Sequence, residues 1–183
     1  MSDKKFEMSL IAAGFGGQGL MVLGQLVAYT GIEEGRFVSW IPSYGPEMRG
    51  GTANCCVIVS SEEIGAPVVS VADAVVVMNQ PSFEKFKNEV KPNGILIYNS
   101  DLIQADGVRS DIQAIPVNAN TIAMKEGSDK VANIVMLGAL VAASGIVDDK
   151  ICVETLKEKL GKKKPEFLPM NLKAYEAGKS LVK

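Results

Sequence analysis

The chain has 183 residues, 47% hydrophobic and 22% charged, with a net charge of -2 and a pI near 5.3. This predicts one globular domain over residues 1–183 with a substantial core, and it argues against a nucleic-acid binder, which carries a basic excess or stripe. No histidine is present, which removes the usual general base and commonest metal ligand, and of three cysteines two are adjacent (Cys55, Cys56) and one is remote (Cys152).

In chain order, the polar start at residues 1–7 leads straight into an apolar strand at 10–13, with no signal-peptide pattern. The strand breaks into a turn containing Gly14, Gly16, Gly17 and Gly19, and a helix predicted over 18–29 follows, with Gly31 as its stop. A strand, a tight glycine turn and a helix N-terminus together make the arrangement that binds phosphate, and Gly14, Gly16 and Gly19 have G-x-G-x-x-G spacing. A second strand is predicted at 36–41. It ends in Trp40, Ile41 and Pro42 rather than in the acidic residue that would hold a ribose, while Glu33 and Glu34 precede it, so NAD is disfavoured.

Residues 42–51, PSYGPEMRGG, form a shaped loop punctuated by Pro42, Gly45, Pro46, Gly50 and Gly51. It holds Tyr44, Glu47 and Arg49, the last being one of three arginines in the chain, and such a set can recognise an anion or a partner or simply form a solvated turn. Further strands are predicted at 52–60, hairpinned or at the sheet edge, and at 74–78, 95–98 and 112–117. Asn79-Gln80-Pro81 starts a helix whose core face is Phe83, Phe86 and Val90 and which Pro92-Asn93-Gly94 ends. The helix at 131–144 is apolar around almost its whole circumference, so later helices or another subunit must cover it, and residues 168–182 can supply part of that cover. Lys162-Lys163-Lys164 reads as a solvated helix end or, alternatively, as contact with a phosphate or acidic partner.

Strand–helix–strand repetition at this length predicts an α/β fold, a three-layer α/β/α Rossmann-like domain with a mainly parallel sheet of about five core strands. The longest apolar run, 134–143, is far short of the roughly 20 residues that cross a bilayer, and the expected compartment is the cytoplasm.

Three stretches carry a family resemblance: GFGGQG at 14–19, SYGPEMRGGTA at 43–53 and ANIVMLGAL at 132–140. Together they resemble the gamma subunit or domain of 2-oxoacid:ferredoxin oxidoreductases, nearer the 2-oxoglutarate and branched-chain types than the pyruvate type. The resemblance implies an oligomeric enzyme that oxidatively decarboxylates a 2-oxoacid with CoA to an acyl-CoA and reduces ferredoxin. It implies thiamine diphosphate and magnesium on alpha and beta subunits, and iron–sulfur clusters on beta and a ferredoxin-like delta subunit, with none on the gamma unit. By the same resemblance, Tyr44, Glu47 and Arg49 with Gly50 and Gly51 shape the interface beside the thiamine site or guide CoA. CoA phosphates suit Arg49 or the amides around Gly16, Gly17, Gln18 and Gly19, and no residue is assigned a catalytic role. The alternative is an independent nucleotide-binding or sensor module built on the glycine turn.

Overall fold

In a computed structural model the chain is described over residues 5–44, 52–162 and 164–182. Among the described residues six strands form one sheet: β1 (Glu7–Phe15), β2 (Phe37–Tyr44), β3 (Thr52–Ser60), β4 (Ala72–Val77), β5 (Val90–Asn99) and β6 (Gln113–Val117). Their order is β2-β3-β1-β4-β5-β6, with β1, β4, β5 and β6 mutually parallel and β3 antiparallel to both its neighbours. The sheet thus has one strand more than the expected core of about five.

Strand β3 explains why the dinucleotide pattern fails. In a nicotinamide-binding fold the strand after the first helix lies next to β1, and its end faces the ribose. Here that place is taken by β3, which pairs with β1 from Glu7↔Ser60 to Phe15↔Thr52, and β2 is displaced to the sheet edge. The hairpin with β2 matches expectation; β3 itself is interior rather than an edge.

The helices are α1 (Leu20–Glu33), α2 (Gln80–Phe86), α3 (Ala119–Lys125), α4 (Ala132–Ser144), α5 (Asp149–Gly161) and α6 (Leu168–Ser180). Helix α1 continues past Gly31 and closes at Glu34, followed by Gly35 at φ 72°. Helix α2 is capped as expected, the Asn79 side chain accepting from the Ser82 amide at 2.8 Å, but it ends at Phe86. Val90 therefore starts β5 instead of closing the helix, and the 92–94 segment is an irregular entry to that strand, with Asn93 at φ 62° and a register shift opposite Ala72 and Ala74. Helices α3 and α5 fall in stretches that the sequence reading leaves unassigned.

The two sheet faces are covered unequally. Leu10, Ala12, Val57, Val59, Ala74, Val76 and Ile97 join one large core with α1, α3, α4, α5 and α6. Ile11, Ala13, Val75, Val77 and Leu96 face the other way, against Phe83 and Phe86 of α2 and Ile103 from the following irregular chain. The layers are α/β/α, with a thick layer on one side and a two-turn helix on the other.

Helix α4 is buried from Ala132 to Val141, as its all-round apolarity predicts, and α6 supplies the cover. The helices meet through reciprocal glycines: a Cβ on Gly138 would strike the Tyr175 carbonyl, and one on Gly178 would strike the Val135 carbonyl. Interior glycine costs about 1 kcal/mol relative to alanine in a helix; here it permits backbone-to-backbone approach. Helix α6 is also pinned to α5, because Asp149 accepts from Tyr175 Oη at 3.0 Å and from Lys179 Nζ at 2.6 Å. The Lys179 ammonium holds that carboxyl below the usual carboxylate range. Gly178→Ala is expected to destabilise the chain by about 3 kcal/mol or more, since backbone cannot yield as a side chain can. Urea unfolding checks this; an unchanged midpoint would contradict the packing.

Candidate functional site

The carboxyl ends of β1 and β4 and the turn between β1 and α1 form the centre of the site, the edge at which open α/β sheets bind ligands. The turn is closed by one side chain. Gln18 Oε1 accepts from the Phe15 amide at 2.7 Å and from Asn79 Nδ2 at 3.3 Å, Gln18 Nε2 donates to the Met78 carbonyl at 3.3 Å, and the Gln18 amide donates to the Phe15 carbonyl at 3.1 Å. Gln18 thus ties the ends of β1 and β4 together and points inward. Gly14 is a packing position within β1, where an added Cβ would lie 2.6 Å from Gln18 Oε1 and 3.1 Å from Met78 Cβ.

Gly19 is the N-cap of α1, in the left-handed region at φ 78°. Its carbonyl accepts the first helical bond from the Leu23 amide at 3.0 Å and a second from Asn133 Nδ2 at 3.0 Å, while a Cβ at this position would strike Asn133. Helix geometry leaves the amides of Leu20, Met21 and Val22 without intrahelical acceptors. Both the positive φ and the Asn133 contact demand glycine.

Two clefts flank this turn. The smaller, about 200 Å³, is bounded by Gly16, Gly17, Gly19, Met21, Tyr44 and Ala53. Tyr44 is 64% exposed and pairs with Ala53, itself opposite Gly14, so the end of β2 stands beside the glycines. Of the residues predicted for the site, this cleft brings together Gly16, Gly17, Gly19 and Tyr44. Glu47, Arg49, Gly50 and Gly51 lie outside the described residues, which include the two strand ends that bracket them.

The larger cleft, about 360 Å³, has a polar lining of Gly19, Ser128, Lys130, Asn133, Lys164 and Asn171 over apolar walls that include Val22, Ile134, Leu160 and Phe167. Its size suits a small-molecule site. Three helix N-termini converge on it: α1 at Gly19, α4 through Ser128–Asn133 and α6 through Phe167 and Asn171. Each terminus favours an anion by about 0.3–1 kcal/mol. Ser128 accepts from the Lys130 amide at 3.2 Å and orders the approach to α4. Lys130 and Lys164 have no carboxylate partner among the described residues, although Lys164 Nζ stands 5.6 Å from the Phe167 ring centroid. Asn133 is 5% exposed, and its Oδ1 is buried without a hydrogen-bond partner among the described residues. Apolar walls, two ammonium groups and three helix N-termini fit a phosphate-bearing ligand with an apolar body.

Sequence reading misses this cleft as a unit. Asn133 reads only as an interruption of an apolar helix, Lys130 carries no signal, and Lys164 is reached only through the phosphate alternative for the 162–164 cluster. Lys162 follows the other reading, paired with Glu158 at 3.0 Å on the helix end.

Cys55 and Cys152 are buried, burial pushing their thiols up to about 12 and about 11, and Cys56 lies on the opposite sheet face from Cys55. Among the described residues no three of His, Cys, Asp and Glu stand close enough to hold a metal ion, and no helix is long and apolar enough to cross a membrane.

Gln18→Ala removes the three side-chain hydrogen bonds that close the turn. At about 1 kcal/mol each, partly offset by water, it is expected to cost about 2 kcal/mol. It should also accelerate amide exchange at Phe15. Wild-type stability and exchange in this variant would refute the role given to Gln18.

Comparison with known proteins agrees with this geometry. The chain is 39% identical over 181 residues to the ketoisovalerate oxidoreductase subunit VorA of Methanothermobacter thermautotrophicus, covering 97% of this chain and 37% of that protein. It therefore spans little more than a third of that relative's length. The gamma subunit of a keto/oxoacid ferredoxin oxidoreductase from Geobacter sulfurreducens superposes with a TM-score of 0.81 at 29% identity, over 96% of this chain and 98% of that one. A 2-oxoglutarate:ferredoxin oxidoreductase from Magnetococcus marinus, solved with 2-oxoglutarate, coenzyme A and succinyl-CoA bound, superposes with a TM-score of 0.89 at 28% identity, over 98% of this chain and 31% of that one. Residues 9–181 match the pyruvate ferredoxin/flavodoxin oxidoreductase family, to which this chain belongs.

Proposed function

We propose that the chain is the gamma unit of a 2-oxoacid:ferredoxin oxidoreductase, which oxidatively decarboxylates a 2-oxoacid with CoA, forms the acyl-CoA and reduces ferredoxin. Its part is to hold CoA and help shape the shared site, and it supplies no catalytic side chain. The observation that carries this reading is the larger cleft, where Lys130, Lys164 and three helix N-termini surround an apolar cavity. CoA combines phosphates with a long amphipathic body, and it is bound in the Magnetococcus structure. The amides at Gly16, Gly17 and Gly19 belong to the same turn, and Tyr44, Glu47, Arg49, Gly50 and Gly51 are in this reading the residues that help shape the site shared with the partner subunits.

In this reading thiamine diphosphate and magnesium are held by alpha and beta partners, and iron–sulfur clusters by beta and a ferredoxin-like delta subunit. Two of the three thiols of this chain, Cys55 and Cys152, are buried, and Cys152 is remote in sequence from the other two, an arrangement in keeping with that division. Free thiols also suit a reducing, cytoplasmic setting. The VorA likeness favours a branched-chain 2-oxoacid as substrate.

The test is dye reduction by the reconstituted complex. Viologen reduction dependent on 2-oxoacid and CoA should require this chain. Lys130→Gln combined with Lys164→Gln should raise the KM for CoA about tenfold, equivalent to about 1.4 kcal/mol, with a smaller change in kcat. Equal rates without the chain would overturn the subunit reading, and an unchanged KM would overturn the CoA cleft.

A further inference from the structure

At about 360 Å³ the larger cleft is near the lower bound, about 300 Å³, of small-molecule sites, so it encloses one end of a molecule as long as CoA. Three groups in its lining have no use for a phosphate, and they decide which end. The first is the Phe167 ring, 41% exposed. A 3-10 turn over Pro165–Phe167 places it, closed by the Phe167 amide donating to the Lys164 carbonyl at 3.1 Å. Side chains three apart eclipse on such a turn, which brings Lys164 Nζ to 5.6 Å from the ring centroid.

The other two are carboxamides. Asn133 Nδ2 is committed to the Gly19 carbonyl at 3.0 Å, and Asn171 Nδ2 to the Phe167 carbonyl at 2.9 Å. With the nitrogen donating to a carbonyl, each amide keeps its oxygen as the uncommitted end, and neither oxygen has a partner among the described residues. Both residues line the cleft, and they are only 5% and 9% exposed. Phosphate oxygens are acceptors and cannot satisfy an acceptor; an amino group or a ribose hydroxyl can. The pantetheine arm of CoA has neither a ring to stack nor a charge for the lysines. The nucleotide end has an aromatic base, donors on base and sugar, and phosphates.

We propose that Phe167 is the platform on which the purine base of that nucleotide end stacks, and that Lys164 moves from the ring to a phosphate when the base arrives. The proposal rests on the CoA reading of the cleft given above. An exposed ammonium–ring contact is weaker than stacking of a base on an aromatic side chain, so the base wins the ring face. The displaced ammonium gains a charge-assisted hydrogen bond in exchange. Phe167 is thus a specificity-determining residue. It also opens the cleft to free adenine nucleotides, which compete with CoA for the same ring.

The test is competition in the reconstituted, dye-reducing complex, with ADP and pantetheine as probes of the two ends of CoA. ADP should inhibit competitively against CoA and not against the 2-oxoacid. Phe167→Leu keeps apolar bulk but removes the ring face. It should raise the KM for CoA and the Ki for ADP about tenfold each, within the range that base stacking supplies, and leave inhibition by pantetheine unchanged. Phe167→Trp, with a larger ring, should bind CoA and ADP at least as tightly as wild type. Tyr29→Leu removes another exposed ring approached by an ammonium, Lys159 Nζ at 4.7 Å, that does not line the cleft, and it should alter neither constant. Unchanged constants in Phe167→Leu, while Lys130→Gln combined with Lys164→Gln still raises the KM for CoA, would overturn the platform and leave the CoA cleft intact. Pantetheine inhibition weakened by Phe167→Leu would seat the other end of CoA here and also overturn it. So would ADP inhibition that CoA does not relieve, which would assign the ring to a separate nucleotide. A KM for CoA unchanged in the lysine and Phe167 variants alike would remove both proposals.

Discussion

The contact between Gly19 and Asn133 is the constraint on which the arrangement of the site depends. The Gly19 carbonyl both starts α1 and accepts from the Asn133 amide, bridging positions 114 residues apart. Because Gly19 has no Cβ, the first turn of α4 can lie directly on the first turn of α1. Helix α4 is in turn fixed by α6 through Gly138 and Gly178, and α6 by the Asp149 ion pair on α5. One chain of close contacts thus brings three helix N-termini to one cleft.

That convergence also sets the chemistry open to the chain. Helix termini and lysines stabilise anions, and the described lining supplies no histidine, cysteine or carboxylate to the cleft. Binding and orientation are what such a site contributes. Gln18 serves a different purpose from the one its place in the motif suggests, since its bonds join β1 to β4 and leave none of its polar atoms committed outward.

Much of the fold was legible because local patterns and tertiary packing agree. The apolar run before the glycine turn is β1, the all-round apolar helix is buried, and Asn79-Gln80-Pro81 caps α2 as its residue types demand. Val90 was misplaced because an apolar residue one turn after Phe86 fits a helix as well as a strand, and the Lys87–Glu89 turn that separates them has no glycine or proline. The missing ribose acid disfavours NAD on local grounds; the insertion of β3 beside β1 is a matter of topology that no local pattern displays. The larger cleft was hidden for the same reason. Gly19, Lys130, Asn133 and Lys164 are distant in sequence, and only the packing of α4 and α6 makes them neighbours.

The central claim is that these helix N-termini receive the phosphates of CoA. Hydrogen exchange of the assembled complex, followed by mass spectrometry with and without CoA, tests it most directly. Binding there should slow exchange at residues 19–22 and 128–133 together, with the sheet core unchanged. Saturating CoA that leaves both segments exchanging at their free rates would contradict the account.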